Sequence, residues 1–257
     1  MPTAFFGHGS PLNTIATNRY SRAWRDYAAT LPVPRAILVV SAHWYVPGTR
    51  ISAAHQPRTI HDFNANFPPR LFDFRYPARG DRTLVERVVD LARPIRVERD
   101  ETTWGIDHGA YSILAHAFTA AAIPVVALSI DRSKPAAYHY ELATRLAPLR
   151  DEGVFIFGSG NVVHNLELAE RTADAEPYDW AQRFDDSVRE LLAARDHESL
   201  VNYHRLGPDA RLSVPTPEHY LPLLYTIALQ RGSERVSTIV DGFDFRAGSM
   251  LSISIAA

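Results

Sequence analysis

Short runs of consecutive apolar residues alternate along the chain with stretches in which apolar side chains recur every three or four positions. That alternation predicts an α/β protein. Strands are expected at 3–6, 36–42, 49–53, 95–98, 123–129 and 153–158. The run over 36–42 is apolar almost throughout, the pattern of a strand covered on both faces. Tyr20, Trp24, Tyr27 and Leu31 fall on one face of a helix over 18–30. Further helices are expected at 82–93, 109–121, 134–149, 178–194 and 217–230. Two closing strands, 236–241 and 249–255, are joined by the short connection Gly242 to Gly248 and read as an antiparallel pair. The expectation is a single domain over 1–257, with a central mostly parallel or mixed sheet flanked by helices on both faces.

One stretch, His55 to Asp81, follows neither period and is rich in Pro, Asn, Arg and aromatic residues. Loops of this length are usually functional or disordered. The aromatic side chains Phe63, Phe67, Phe72, Phe74 and Tyr76 argue against disorder. We expect the segment to fold over the sheet's edge and supply apolar walls to a pocket.

Composition narrows the chemistry. A formal net charge of −2, with Lys and Arg scattered, offers no basic face for nucleic acid or an anionic membrane. The chain has no cysteine, so a bound metal must be held by nitrogen and oxygen ligands. The start MPTAFFGHGSP has neither a basic region nor a long apolar core, so no signal peptide is expected. No apolar run is long enough to span a bilayer, and a cytoplasmic protein is the expectation.

Three strand-like runs lead directly into a histidine: FFGHGSP at His8, ILVVSAHW at His43 and VFIFGSGNVVH at His164. Open α/β sheets bind ligands beyond the carboxyl ends of their strands, where such imidazoles would converge on a divalent transition metal. His8 can also be read as a turn histidine capping a helix, and His43 as a buried strand-end residue. Asn161 and Asn165 flank His164 and could orient its ring. For His219, Thr216 fits a helix N-cap and Pro217 the first helical position. That would place the imidazole at a positive helix end, which keeps it neutral. His108 follows Asp107, a candidate N-cap, between Gly105 and Gly109. His61 is left open between pocket and packing, and the remaining five histidines read as surface or packing residues. GSGN lacks the Lys that would make it a phosphate loop, and GHGSP lacks the pattern of a hydrolase serine elbow.

Taken in order, GHGSP, SAHW, TIHDFNANFP, GIDHG, GSGNVVHNL and PEHYLPLL resemble the 4,5-DOPA extradiol dioxygenase family, within the class III, LigB-like extradiol catechol dioxygenases. The resemblance covers nearly the whole chain. It implies a mononuclear non-haem Fe(II) site with His8, His43 and His219 as ligands. His164 would be the base and would also ligate the substrate-free metal, and His108 would be a second pocket histidine contacting substrate or oxygen. Better-known class III enzymes use two histidines and a glutamate, so an all-histidine set with Glu218 beside it is a departure. The substrates implied are a small catechol and O₂. Zn(II) is expected in purified protein, because nitrogen sites bind Zn²⁺ more tightly than Fe²⁺. A zinc-dependent hydrolase on the same scaffold is the competing reading, and a non-catalytic metal-binding protein a third. The sequence leaves the particular catechol and the oligomeric state open.

Overall fold

Strands that are apolar at every position must be sandwiched, and these assemble into one sheet. The computed structural model describes residues 1–170 and 176–257. In chain order the strands are β1 (Thr3–Gly7), β2 (Ala36–Val46), β3 (Thr49–Ser52), β4 (Thr59–Ile60), β5 (Val97–Asp100), β6 (Ile106–Asp107), β7 (Val125–Asp131), β8 (Val154–Gly160), β9 (Arg235–Val240), β10 (Phe243–Asp244), β11 (Gly248–Ser249) and β12 (Ser252–Ala256). Eight of them form the sheet β5-β3-β7-β2-β8-β1-β12-β9. Its centre, β7-β2-β8-β1, is parallel. β12 runs antiparallel to β1 and β9, so the sheet is mixed. The helices are α1 (Arg19–Ala28), α2 (Pro69–Asp73), α3 (Arg82–Leu91), α4 (His108–Ala117), α5 (Ala136–Arg145), α6 (Pro148–Asp151), α7 (Asp179–Ala194), α8 (His197–Val201), α9 (Pro208–Ser213) and α10 (Leu221–Ile227).

The period of two along β2 sorts its side chains between two cores. Ile37 and Val39 pack with Trp24 of α1 and Tyr111 and Leu114 of α4. Leu38 and Val40 point the other way, into a core with Leu84 of α3, Leu142 of α5, Phe184 of α7 and Leu224 of α10. Helices therefore cover both faces, as the apolar run required.

The structure departs from the pattern in three places that matter. The helix expected over 134–149 stops after Arg145, and Pro148 opens the separate α6; proline lacks an N–H and disfavours helix at the residue before it. The last helix begins at Leu221 rather than 217. Thr216 donates its hydroxyl to Glu218 at 2.8 Å instead of capping, and the Pro217 carbonyl accepts from the N–H groups of Tyr220 and Leu221, both at 3.0 Å. His219 thus sits in a turn ahead of the helix. The connection before β12 also carries its own hairpin, β10–β11, which forms part of the pocket wall.

His139 on α5 is fully buried and lies 3.0 Å from the Tyr225 hydroxyl. Burial lowers its pKa to about 4, against a smaller opposing pull from Asp131. The folded protein keeps this ring neutral while the unfolded chain takes up a proton below pH 6.5 or so. Its contribution is therefore intact above the unfolded value and is lost as pH falls towards the folded one, by up to roughly 3 kcal/mol. Urea unfolding at neutral pH and at pH near 4 should show a smaller loss of stability on acidification in His139→Gln than in the native protein, the other buried histidines supplying the rest.

Candidate metal centre

The carboxyl ends of β2, β8 and β1 lie side by side and point the same way. His8 follows β1 at once and donates nothing to the ladder except its backbone N–H, to Gly160 at 3.1 Å. His43 lies inside β2, where the register against β7 jumps from Val40↔Leu128 to Tyr45↔Ile130. Five steps along β2 (40 to 45) match two along β7 (128 to 130), so the strand bulges and turns His43 out of the ladder. His219 is held by a backbone contact, its carbonyl accepting from Asn161 N at 2.9 Å. A Cβ on Gly160 would lie 2.1 Å from that carbonyl, so only glycine allows the approach. Gly109 has a similar duty at the other side, where a Cβ would lie 2.9 Å from the His43 ring.

His108 opens α4, with Asp107 capping it by accepting from Ala110 N. The two-residue pairing of β6 with β4 fixes where the aromatic segment leaves the sheet. Two residues beyond β4, Asp62 reaches two imidazoles at once. Its Oδ1 lies 2.8 Å from His108 Nδ1 and its Oδ2 2.8 Å from His43 Nδ1. The sequence reading did not single out this carboxylate.

A carboxylate only accepts, so His108 carries its proton on Nδ1, and the charge of Asp62 beside His43 Nδ1 favours the same tautomer there. Ser159 Oγ gives its single proton to Gly109 O at 2.6 Å and must accept from His8 Nδ1 at 3.0 Å. The Nε2 lone pairs of His8 and His43 then face each other across 3.1 Å. Two lone pairs in that position are satisfied by a cation between them, and rings whose other nitrogen is anchored this way are typical metal ligands.

Electrostatics agree. Burial, with the neighbouring His43 and His108 next, holds His164 down at about 4. Burial and His43 do the same for His108, to about 4, against Asp62. His8 and His219 are pushed well below the usual imidazole value, first by burial. Burial, rather than a helix end, therefore keeps His219 neutral. His43 is the exception: burial lowers it, but Asp62 outweighs burial and raises it. Asp62 itself resists its burial because both imidazoles hold it ionised.

Ligating atoms of His8, His43 and His108 all lie within 4.8 Å of one another, as do those of His164, Glu218 and His219. The ring centres of His8, His43 and His219 form a near-equilateral triangle with sides of 5.0, 5.1 and 5.4 Å. His43 and His108 are closer, at 3.9 Å, and His164 stacks on His219 at 3.4 Å with its plane 9° away. All five border a cavity of about 440 Å³, with Phe63 and Phe67 on its walls. Phe72 and Phe74, from the segment expected to wall the pocket, do not border it: Phe72 packs on Phe63 and Phe74 on Tyr111. Asn161 and Asn165 spend their amide N–H groups on the carbonyls of Ser249 and Leu212 and hold backbone in place, not the His164 ring.

Asp62→Asn is expected to weaken metal binding about 10–100-fold, the usual cost of losing such an outer partner. Competition against a chromogenic chelator would measure it, and unchanged affinity would contradict the anchoring role.

An apolar-walled cavity floored by clustered imidazoles, at the strand ends of an α/β sheet, is the setting expected of a metal-dependent enzyme. The family model for the catalytic LigB subunit of aromatic ring-opening dioxygenase matches residues 10–241, and the chain belongs to that family. It is 47% identical to the 4,5-DOPA dioxygenase extradiol of Escherichia coli (strain K12), covering 99% of this chain and 94% of that protein. The 4,5-DOPA dioxygenase extradiol of Beta vulgaris is 32% identical, over 94% of this chain and 91% of that one. A crystal structure of an uncharacterized Escherichia coli K12 protein superposes with a TM-score of 0.88 at 43% identity, covering 100% of both chains. The chain is thus an extradiol-type aromatic ring-opening dioxygenase, and the hydrolase reading is not favoured.

Proposed function

We propose that this enzyme opens catechols beside their diol with O₂, using Fe(II) held by His8, His43 and His219, and that all of 1–257 is one LigB-like catalytic domain. The observation that carries the ligand assignment is the triangle of ring centres. Imidazoles each about 2.1 Å from one ion at tetrahedral angles place their centres about 5 Å apart. His8, His43 and His219 have that spacing, whereas the 3.9 Å between His43 and His108 is too short for it. A ferrous ion there would supply Lewis acidity towards the catechol and the electron relay to O₂.

The remaining work falls to side chains. An imidazole nitrogen of His164, neutral at working pH, takes the first catechol proton as general base. His108 presents Nε2 as an acceptor, because Nδ1–H is committed to Asp62. It takes the second proton and, then cationic against Asp62, donates it as a hydrogen bond to the oxygen that gains charge. Phe63 and Phe67 exclude water and face the ring. For His164 to serve as a fourth ligand before substrate enters, its ring has to turn off the His219 stack.

Zn(II) is expected to occupy the same nitrogens in purified protein and to be inactive, since it has no redox chemistry. Among the described residues no helix is long and apolar enough to cross a membrane, and we place the enzyme in the cytoplasm. The relatives' name points to DOPA-like catechols as substrates. Anaerobic loading with Fe(II), followed by a catechol and oxygen, should consume O₂ and yield a yellow ring-opened semialdehyde, while the Zn(II) form should not. No oxygen uptake with iron across a catechol panel would overturn the reading.

A further inference from the structure

His164 lies past the end of β8, and its backbone is held by two neighbours. Its N–H donates to Ser213 O at 2.8 Å. It also forms an antiparallel bridge with Gly248 of β11, flanked by Ser249 N to Val163 O at 2.9 Å and Asn165 N to Ala247 O at 3.1 Å. Residues 163–165 thus run as a third strand on the β10–β11 hairpin, and His164 stands on whatever fixes β11. Alone, the hairpin fixes little. Its strands are two residues long, and an isolated two-stranded hairpin is at best marginally stable in water.

What fixes it is a carboxylate on α7. Asp185 is fully buried and does not border the cavity. Its Oδ1 accepts from the hydroxyl of Ser249, itself fully buried, at the exit of the hairpin. Its Oδ2 accepts from Arg189 Nε at 2.6 Å, and Arg189 Nη1 reaches Asp241 at 3.2 Å, just before the entrance of β10. One ion pair on a single helix therefore grips both ends of the hairpin. Phe184 and Val188 seat that helix in the core, so the grip is referred to a packed element. Stability alone does not call for an ion pair here, since apolar residues of similar volume often serve a buried site as well or better. What a carboxylate adds is direction: two acceptor oxygens that fix Ser249 and Arg189 relative to each other.

We propose that Asp185 is a positioning residue for His164: it fixes Ser249, Ser249 fixes β11, and β11 sets where the base stands relative to His8, His43 and His219. The inference rests on the reading of His164 as the base. A misplacement of about 1 Å, caused by a change far from the chemistry, can cost about 100-fold in rate. Cutting the Ser249 link should therefore lower kcat by about 10–100-fold. Zinc affinity should stay near native, because the rings of His8, His43 and His219 are anchored elsewhere, on Ser159, Asp62 and Glu218.

Two readouts separate position from stability. In the zinc-loaded protein, Ser249→Ala and Asp185→Leu should speed amide hydrogen exchange at Asn165 and at residue 249 by about tenfold, with the amides of β8 unchanged. In the Fe(II) form, turnover of catechol per bound iron should drop as above, a ratio that does not depend on the fraction folded. Asp185→Asn is the rescue: a side-chain amide bonds Ser249 Oγ in either orientation, because a hydroxyl both donates and accepts. It should melt lower, having lost the ion pair with Arg189, yet keep its turnover per iron. Exchange quickened equally in β8, native turnover per iron in Ser249→Ala, or a loss in Asp185→Asn as deep as in Asp185→Leu would overturn the positioning role. Should Asp185→Leu not fold, Ser249→Ala decides alone. Local loosening with no ring opening by the native Fe(II) enzyme would leave the clamp standing and remove the dioxygenase reading instead.

Discussion

His219→Ala is expected to leave the protein folded but almost without metal, while His108→Ala keeps its ion and loses turnover. The contrast follows from the ring-centre triangle, in which His219 completes the set with His8 and His43, and His108 sits too close to His43 to belong to it. Losing an outer partner already costs about 10–100-fold in metal affinity, so losing a ligand should cost well over about 100-fold. Metal content after dialysis against limiting chelator decides it. If His219→Ala retained a full equivalent and His108→Ala did not, the ligand assignment would have to be exchanged between the two.

The second large effect is expected from His164→Gln. Glutamine keeps a polar group in place but cannot take a proton, so kcat should fall by about 10²–10⁴, the usual range for a general base. Metal content should be little changed, because the native ring is stacked on His219 instead of spaced around the three-ring centre. Steady-state oxygen uptake together with metal analysis would separate this outcome from a ligand role, which would lower both.

The fold was legible where one kind of side chain had to be hidden. The unbroken apolar run of β2 and the face of α7 with Phe184 and Val188 each have a single stable placement, and both lie in the cores where they were expected. The five histidines are gathered around one cavity, and three of them could be found because each ends a strand-like run. Asp62 was missed for a physical reason: it lies in an irregular segment with no periodicity, and its contacts with His108 span 46 positions. Nor could aromatic content separate Phe63 and Phe67, which border the cavity, from Phe72 and Phe74, which pack behind them. The start of α10 was misplaced because Thr216 and Pro217 carry good capping chemistry, yet tertiary contacts between Gly160 and the His219 carbonyl set the backbone there.

β2, β8 and β1 are contiguous and covered on both faces, so the strands that present His8 and His43 are expected to be among the last parts of the molecule to come apart. An ion held by those histidines would therefore be thermodynamically linked to the whole tertiary structure: occupancy would raise the free energy of global unfolding by RT ln(1 + [M]/Kd). A chelator would thus act on the melting of the entire protein and not on a local flap.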